Sequence, residues 1–286
     1  ATSHGFSGAY STSGYSISAS VIAGQGDGMA RDYAYDSARF LEDLQSPDTI
    51  GREAGERAVS RLNPVQFQSG AMPVVYDPRV GNSLLGHFVG AISGAAIARK
   101  TSFLLDALDT EAFDSAISII DCPHRKRGLR SKAFDGEGLP TAKTKLIDQG
   151  RLTQWIMESA SARQLGLQPT GHASRGIGGA PGVSVTNLHM GNGSVSKADL
   201  IRDIKHGVYI TELIGMGVNQ VTGDYSRGAS GFLITDGEIG PPVSEITIAG
   251  NLKDMFKSLV AADDLEYRYS INVPTLRADS MTVAGG

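Results

Sequence analysis

The sequence has one cysteine, Cys122, no excess of positive charge and no long apolar run. A lone cysteine cannot close an intramolecular disulfide, so nothing demands an oxidising compartment. The formal net charge of −4 argues against a general polyanion-binding surface. No apolar stretch approaches the roughly 18 residues of a membrane-spanning helix, and no secretory leader pattern opens the chain. A cytoplasmic protein is expected. There is no initiating methionine, and strand-like alternation begins almost at once, so a chain lacking an N-terminal part is expected.

Motifs that carry chemistry by their spacing are also missing. The six histidines, His4, His87, His124, His172, His189 and His206, include no H-x3-H pair and no HExxH, and Cys122 has only His124 beside it. Zinc needs three or four converging ligands, and helical sites show them at helical spacing. No G-x-S-x-G occurs. GIGGAPG and GAISGAA are glycine-rich without the Walker or dinucleotide pattern, and read as loops and close packing. HRKRGLRSK, the one basic cluster, reads as a solvated loop.

Glycine is abundant: 36 residues of 286, well above the usual ~7%. With several hairpin signals, this predicts an α+β fold, strand-rich, with largely antiparallel sheets and a few packed helices. Residues 15–21 alternate as a half-buried strand, and Met29, Arg31, Tyr33 and Tyr35 share a face before the chain turns helical. A helix follows, capped by Asp48, with Ile50, Ala54, Ala58 and Leu62 spaced by four and Pro64 ending it. MPVVYD and SAISIID read as strands, KTKLIDQGRLTQWIM as a hairpin around Asp148-Gln149-Gly150, and SASARQLG as a short helix. TGHASRGIGGAPG is a long loop, followed by strand VSVTNLHM and a helix capped by Ser196 with Asp199 in a capping-box-like pairing. GVYITELIG, VNQVTG, ASGFLITDGEI and VSEITIAG read as four strands, with Asp236-Gly237 a type I′ turn. Asn251 caps a last helix that buries Leu252, Met255, Phe256, Leu259 and Val260.

Two stretches invite functional questions. NSLLGHFVGAISGAAIARK, residues 82–100, reads as one helix capped by Asn82, in which Gly86, Gly90 and Gly94 recur every four residues. That stripe predicts close approach of another backbone, and the single His87 reads as packed and hydrogen-bonded. GDYSRGASGF, residues 223–232, places Asp224, Tyr225, Ser226 and Arg227 between two strands. Either these are binding residues on an exposed turn, or Asp224 serves the loop by accepting backbone donors or pairing Arg227.

The ordered series LLGHFVGAISGAAIARKTSFLLD, FDGEG, LTQWIMESASARQLG, TGHA, GVYITELIGMGVNQVTGDYSRGASGFLITDGEI and PVSEITIAGNLKDMF resembles the TldD/PmbA family, on its PmbA (TldE) side. The resemblance covers almost the whole chain as the family's central and C-terminal region, residues 1–286, expected as two intertwined subdomains without the family's N-terminal α+β domain. It implies a cytoplasmic, non-catalytic subunit that pairs with a TldD-type zinc metalloprotease. That pair is associated with degrading unfolded peptides, trimming peptide antibiotic precursors and antitoxins, and modulating DNA gyrase. TldD-type members carry an HExxxH helix and a later cysteine. Laid on this sequence, the motif falls on His87, Phe88 and Ile92, and the C-terminal stretch contains no cysteine. No metal is therefore expected in this chain, with zinc in the partner. Peptide is expected to bind by strand addition near GDYSRGASGF and TELIGMGVNQ, at Asp224, Tyr225, Arg227 and Glu212. Alternatives are an active peptidase with a dispersed site (His87, His172, Asp224, Glu212) and a homodimeric regulatory binding protein. Neither nucleic acid nor a membrane is expected to be contacted directly.

Overall fold

The computed structural model of the protein describes residues 1–66 and 68–285. In chain order its first elements are β1 (Tyr15–Ala23), β2 (Ala30–Ala38), α1 (Pro47–Ser60), β3 (Gly70–Tyr76), α2 (Pro78–Ala91) and α3 (Gly94–Ala98). Then come β4 (Ile119–Asp121), β5 (Thr144–Asp148), β6 (Arg151–Leu152), α4 (Ser159–Leu165), β7 (Ala173–Ser174), β8 (Gly182–Val183), β9 (Leu188–Met190) and α5 (Lys197–Arg202). The last third holds β10 (His206–Ile214), β11 (Asp224–Thr235), β12 (Glu238–Asn251), α6 (Leu252–Ser258), β13 (Val260–Ala261), β14 (Ile271–Asn272) and β15 (Leu276–Gly285). The architecture is α+β, as the turn and hairpin signals predict.

β1 and β2 pair along their whole length. Arg31, Tyr33 and Tyr35 do share a face, but it is the outer one; the core face carries Asp32, Ala34, Asp36 and Ala38. Those small residues let α1 lie close, where Ile50 and Ala54 meet Ala34, Ile17, Ala19 and Val21. The α1 cap is Ser46 rather than Asp48. Its hydroxyl accepts from the Thr49 amide, while Pro47 fixes the first helical residue.

The main sheet has strand order β12-β11-β10-β3-β15-β13, and β12 also pairs with β15, so five of its strands close into a ring. Among these strands only β3 and β10 run parallel. One face of the ring, with Val74, Tyr76, Val208, Ile210, Tyr225, Ile246, Ile248 and Leu276, shares a core with α2 and α6. The other face, through Val75, Tyr209 and Ile234, packs on Leu200, Ile201 and Ile204 of α5 and the residues after it. A second sheet, β14-β9-β4-β5-β6, joins the main core through Ile119, Leu146, Ile147, Leu152, Leu188 and Met190. The Asp148–Arg151 hairpin turns at Gln149 and Gly150 and the Thr235–Glu238 hairpin at Asp236 and Gly237, all with positive φ, as a type I′ turn requires.

Several expectations are corrected. Residues 82–100 are not one helix from Asn82: α2 starts earlier, with Asp77 accepting from the Arg79 amide and Pro78 at the first position. It ends at Ile92, where Ser93 caps α3 anew. VNQVTG is no strand, because Asn219 Oδ1 accepts from the Val221 and Thr222 amides and closes an Asx-type turn. GDYSRGASGF is strand from Asp224 onward, not a turn. VSVTNLHM is strand only at its ends, in β8 and β9. Val260 lies beyond α6, in β13, and is exposed.

Candidate functional site

β11 alternates, and the alternation sorts the motif residues. Tyr225 and Arg227 face the core side of the main sheet while Asp224 and Ser226 face outward. Residues three apart in a strand point to opposite faces, so Asp224 cannot pair Arg227. Its carboxylate instead accepts from Thr222 Oγ1 at 2.6 Å and Asn251 Nδ2 at 3.1 Å, and these bonds hold its pKa below the usual carboxylate range. The loop-serving reading is met in neither of its forms: the Asp224 carboxylate accepts from the Thr222 and Asn251 side chains, not from backbone donors and not from Arg227.

On the inner face, α2 brings His87 edge-on to Tyr225, with ring centroids 6.0 Å apart. Burial, reinforced by the nearby Arg227 cation, keeps the His87 pKa below its ordinary value. Burial pushes the Tyr225 phenol up to about 12 and the Tyr76 phenol well above its ordinary value. Arg227, 8% exposed, donates from Nε to the Ile214 carbonyl at 3.3 Å. Among the described residues it forms no ion pair. Among the described residues, His87 Nε2 and Gln220 Oε1 are buried without hydrogen-bond partners, and Tyr225 Oη meets no acceptor or donor in hydrogen-bond geometry although the Tyr76 phenol lies close enough to shift its pKa. Gln220 packs near Gly90, one turn beyond His87. Sequence reading missed Gln220, because nothing marks a turn residue as packed on a helix that precedes it by 130 positions.

Glu212 belongs to a different cluster. Its carboxylate lies 3.0 Å from Arg61, whose Nε also contacts Asp32 at 2.5 Å; Arg79 reaches Asp32 with both Nη atoms, at 2.8 and 3.0 Å. Burial alone would raise the Asp32 pKa, but the bonds from Arg79, the Tyr33 amide and Arg61 outweigh it and lower it to about 2. This network ties the β1–β2 hairpin to α1, α2 and β10. A sequence signal existed: in β2 the aspartates sit in register with the small core-facing alanines.

His172 is buried beside Asp121, 3.5 Å away, and contacts Thr170 Oγ1. His124 contacts Thr141 Oγ1, and His189 contacts Arg125. The dispersed set His87, His172, Asp224 and Glu212 therefore has separate partners, and no three of the described His, Cys, Asp or Glu residues are grouped to hold a metal. No helix among the described residues is long and apolar enough to cross a membrane.

The PmbA/TldA metallopeptidase C-terminal domain model matches residues 69–285, and the central domain model of that family matches residues 1–62. The chain belongs to the PmbA/TldD family. It is 42% identical over 284 residues to Metalloprotease PmbA of Escherichia coli O157:H7, covering 99% of this chain and 61% of that protein. It is 41% identical to the Metalloprotease PmbA homolog of Haemophilus influenzae, with the same coverage. A crystal structure from Bacteroides thetaiotaomicron, named as a candidate modulator of DNA gyrase, superposes with a TM-score of 0.90 at 30% identity, over 99% of this chain and 63% of that one. TldE from Thermococcus kodakarensis shares the fold, with a TM-score of 0.83 at 22% identity, over 95% and 63%. The chain thus spans about three-fifths of these relatives.

The zinc implied by the PmbA/TldD resemblance does not fit the residues at the corresponding helix positions. Phe88 and Ile92 are fully buried and offer no donor; Phe88 packs against Phe113 and Phe256. His87 is left alone beside a guanidinium, whose charge disfavours a bound cation as it disfavours a proton. No metal-dependent step is derived from this arrangement.

Proposed function

We propose that this chain is the non-catalytic, PmbA/TldE-like subunit of a TldD-type metalloprotease complex, supplying peptide-binding surface while its partner carries the zinc. The observation that carries the reading is α2 itself. The helix holds one histidine where the protease motif needs two histidines and a glutamate, and the other two positions are spent on the hydrophobic core. Water activation requires converging ligands and a general base. Unfolded peptides, including peptide antibiotic precursors and antitoxins, are the substrates this complex would handle. The protein would be cytoplasmic, able to pair with itself when isolated, with no direct contact to nucleic acid or membrane.

Strand addition is confined by the topology. β11 is hydrogen-bonded to β12 on one side and, on the other, to β10 from Gly228 onward and to residues 217–219 before that, and among the described residues β10 meets β3 only through Val208–Ile210. Among the described residues Thr211–Ile214 therefore has no neighbouring strand on one side, next to the Arg227 cluster, and an extended peptide would pair there.

The test is a peptide-degradation assay on this protein alone, a TldD-type partner alone, and the mixture, with metal analysis of each. Hydrolysis is expected only where the partner is present, and faster in the mixture. Stoichiometric zinc together with hydrolysis by this protein alone would overturn the proposal. Co-purification of a gyrase subunit in place of a TldD-type partner would favour a regulatory role instead.

A further inference from the structure

Arg227 is a buried cation that forms no ion pair among the described residues. Removing an ionised group from water without a partner costs several kcal/mol. The protein avoids that cost elsewhere: the side chains of Arg61 and Arg79, 9% and 10% exposed, share the carboxylate of Asp32. Around Arg227 the titratable neighbours are neutral at pH 7. His87 is held below its ordinary pKa, and the Tyr225 and Tyr76 phenols are held above theirs. Of the five N–H donors of a guanidinium, only Nε has an acceptor among the described residues.

Polar atoms left unpaired are rare in protein interiors. Among the described residues, three of the five such side-chain atoms, on His87, Tyr225 and Gln220, come from α2, β11 and the turn between β10 and β11. On the outer side of α2, Gly86 is exposed with nothing within 4 Å of where a Cβ would stand, and the neighbouring His87 is partly exposed. Ile214, at the end of β10, and Met216, in the turn after it, are 56% and 87% exposed. A cation with free donors, neutral polar groups and an apolar rim suit one ligand chemistry.

We infer that the Arg227, Tyr225, His87 and Gln220 cluster binds the carboxylate of a peptide, with Arg227 as the charge partner and the other three completing its hydrogen bonds. The inference rests on the peptide-binding reading above and names what that surface selects. A free C-terminus and an aspartate or glutamate side chain present the same group, and a guanidinium recognises either through two parallel bonds.

Calorimetric titration with three N-acetylated alanine–leucine hexapeptides separates the possibilities: one with a free C-terminus, one C-amidated with a central glutamate, one C-amidated and uncharged. On the wild-type protein at least one of the first two is expected to bind tenfold or more tightly than the third. Which of them does so identifies the source of the carboxylate. Arg227→Met should abolish that preference while leaving the uncharged peptide unaffected, and Arg227→Lys should retain part of it. Equal binding of all three peptides to the wild type overturns this inference and leaves peptide binding standing. Binding of none overturns both. A preference that survives in Arg227→Met would overturn the assignment to Arg227.

Discussion

Replacing Asp32 by asparagine removes the only charge that Arg61 and Arg79 share. Asp32 is 4% exposed, and both arginines lie largely out of water, so the substitution leaves Arg79 without its ion-pair partner and Arg61 with only the more exposed Glu212. Breaking a buried pair in this way costs about 3–5 kcal/mol. For a chain of this size, at roughly 2 °C per kcal/mol, that lowers Tm by about 6–10 °C at pH 7. The pH dependence is a sharper test. The folded-state pKa of Asp32, about 2, lies below its unfolded value of 3.8. The contribution of its charge is fully present above pH 3.8 and is lost as pH falls toward 2. At about 1.4 kcal/mol per pKa unit the shift is worth about 2.5 kcal/mol, of which about 1.6 kcal/mol of the wild-type advantage over Asp32→Asn should vanish between pH 7 and pH 2.5 and the rest below it. Urea unfolding followed by circular dichroism, on both proteins from pH 7 to pH 2.5, measures it. Adding Arg79→Met to Asp32→Asn should recover part of the loss, because one stranded cation is gone. A cost below 1 kcal/mol at pH 7, or one that stays constant through the acid range, would refute the network as a stabilising element.

Two glycines of the 86–94 stripe should respond in opposite ways. Gly86→Ala meets open space within α2 and should raise stability by about 0.5–1 kcal/mol. Gly94→Ala drives a methyl group against Met157 and Ser161 and should lower it by about 1–3 kcal/mol; thermal melts compare the two. The double variant Phe88→Glu, Ile92→His, which writes the protease motif into α2, should yield no zinc stoichiometry and should lose more than 4 kcal/mol, because it buries a carboxylate in the Phe113–Phe256 aromatic cluster. Metal analysis and denaturant titration check this, and a stable zinc-loaded variant would contradict it. Arg227→Met should also raise the His87 pKa toward the ordinary histidine value, since the Arg227 charge is one cause of its depression; proton NMR titration reads the shift.

Much of the local structure was legible because it rests on short-range chemistry. The turns at Gln149-Gly150 and Asp236-Gly237, the Ser196 and Asn251 caps and the spacing of Ile50, Ala54 and Ala58 all follow from residues within one turn of each other. Misplaced boundaries arose where two signals competed. Asp77 and Asn82 are both good caps, and Pro78 decided for the earlier one. The glycine stripe of residues 86–94 implied one packed face, yet the helix breaks at Ile92. Only Gly94, in α3, is closely packed, and its neighbours are the side chains of Ser161 and Met157 rather than another backbone.

The candidate site was harder to read. The tetrad Asp224 to Arg227 was visible as a dense patch, but its division into two faces needed the knowledge that β11 begins at Asp224. Strand addition at this stretch was ruled out by pairing partners that lie up to 27 residues away in the chain.

By itself, the sequence determined that α2 cannot present the protease ligands, since composition at positions 88 and 92 is enough, and it carried the family pattern that the domain matches reproduce. Only the tertiary structure decided which charges are paired. Asp32 neutralises arginines 29 and 47 positions along the chain, whereas Arg227 has three neutral neighbours brought from α2, β3 and β11 itself. Ion pairing depends on distance in space and on burial, and neither is encoded in the order of residues along a strand.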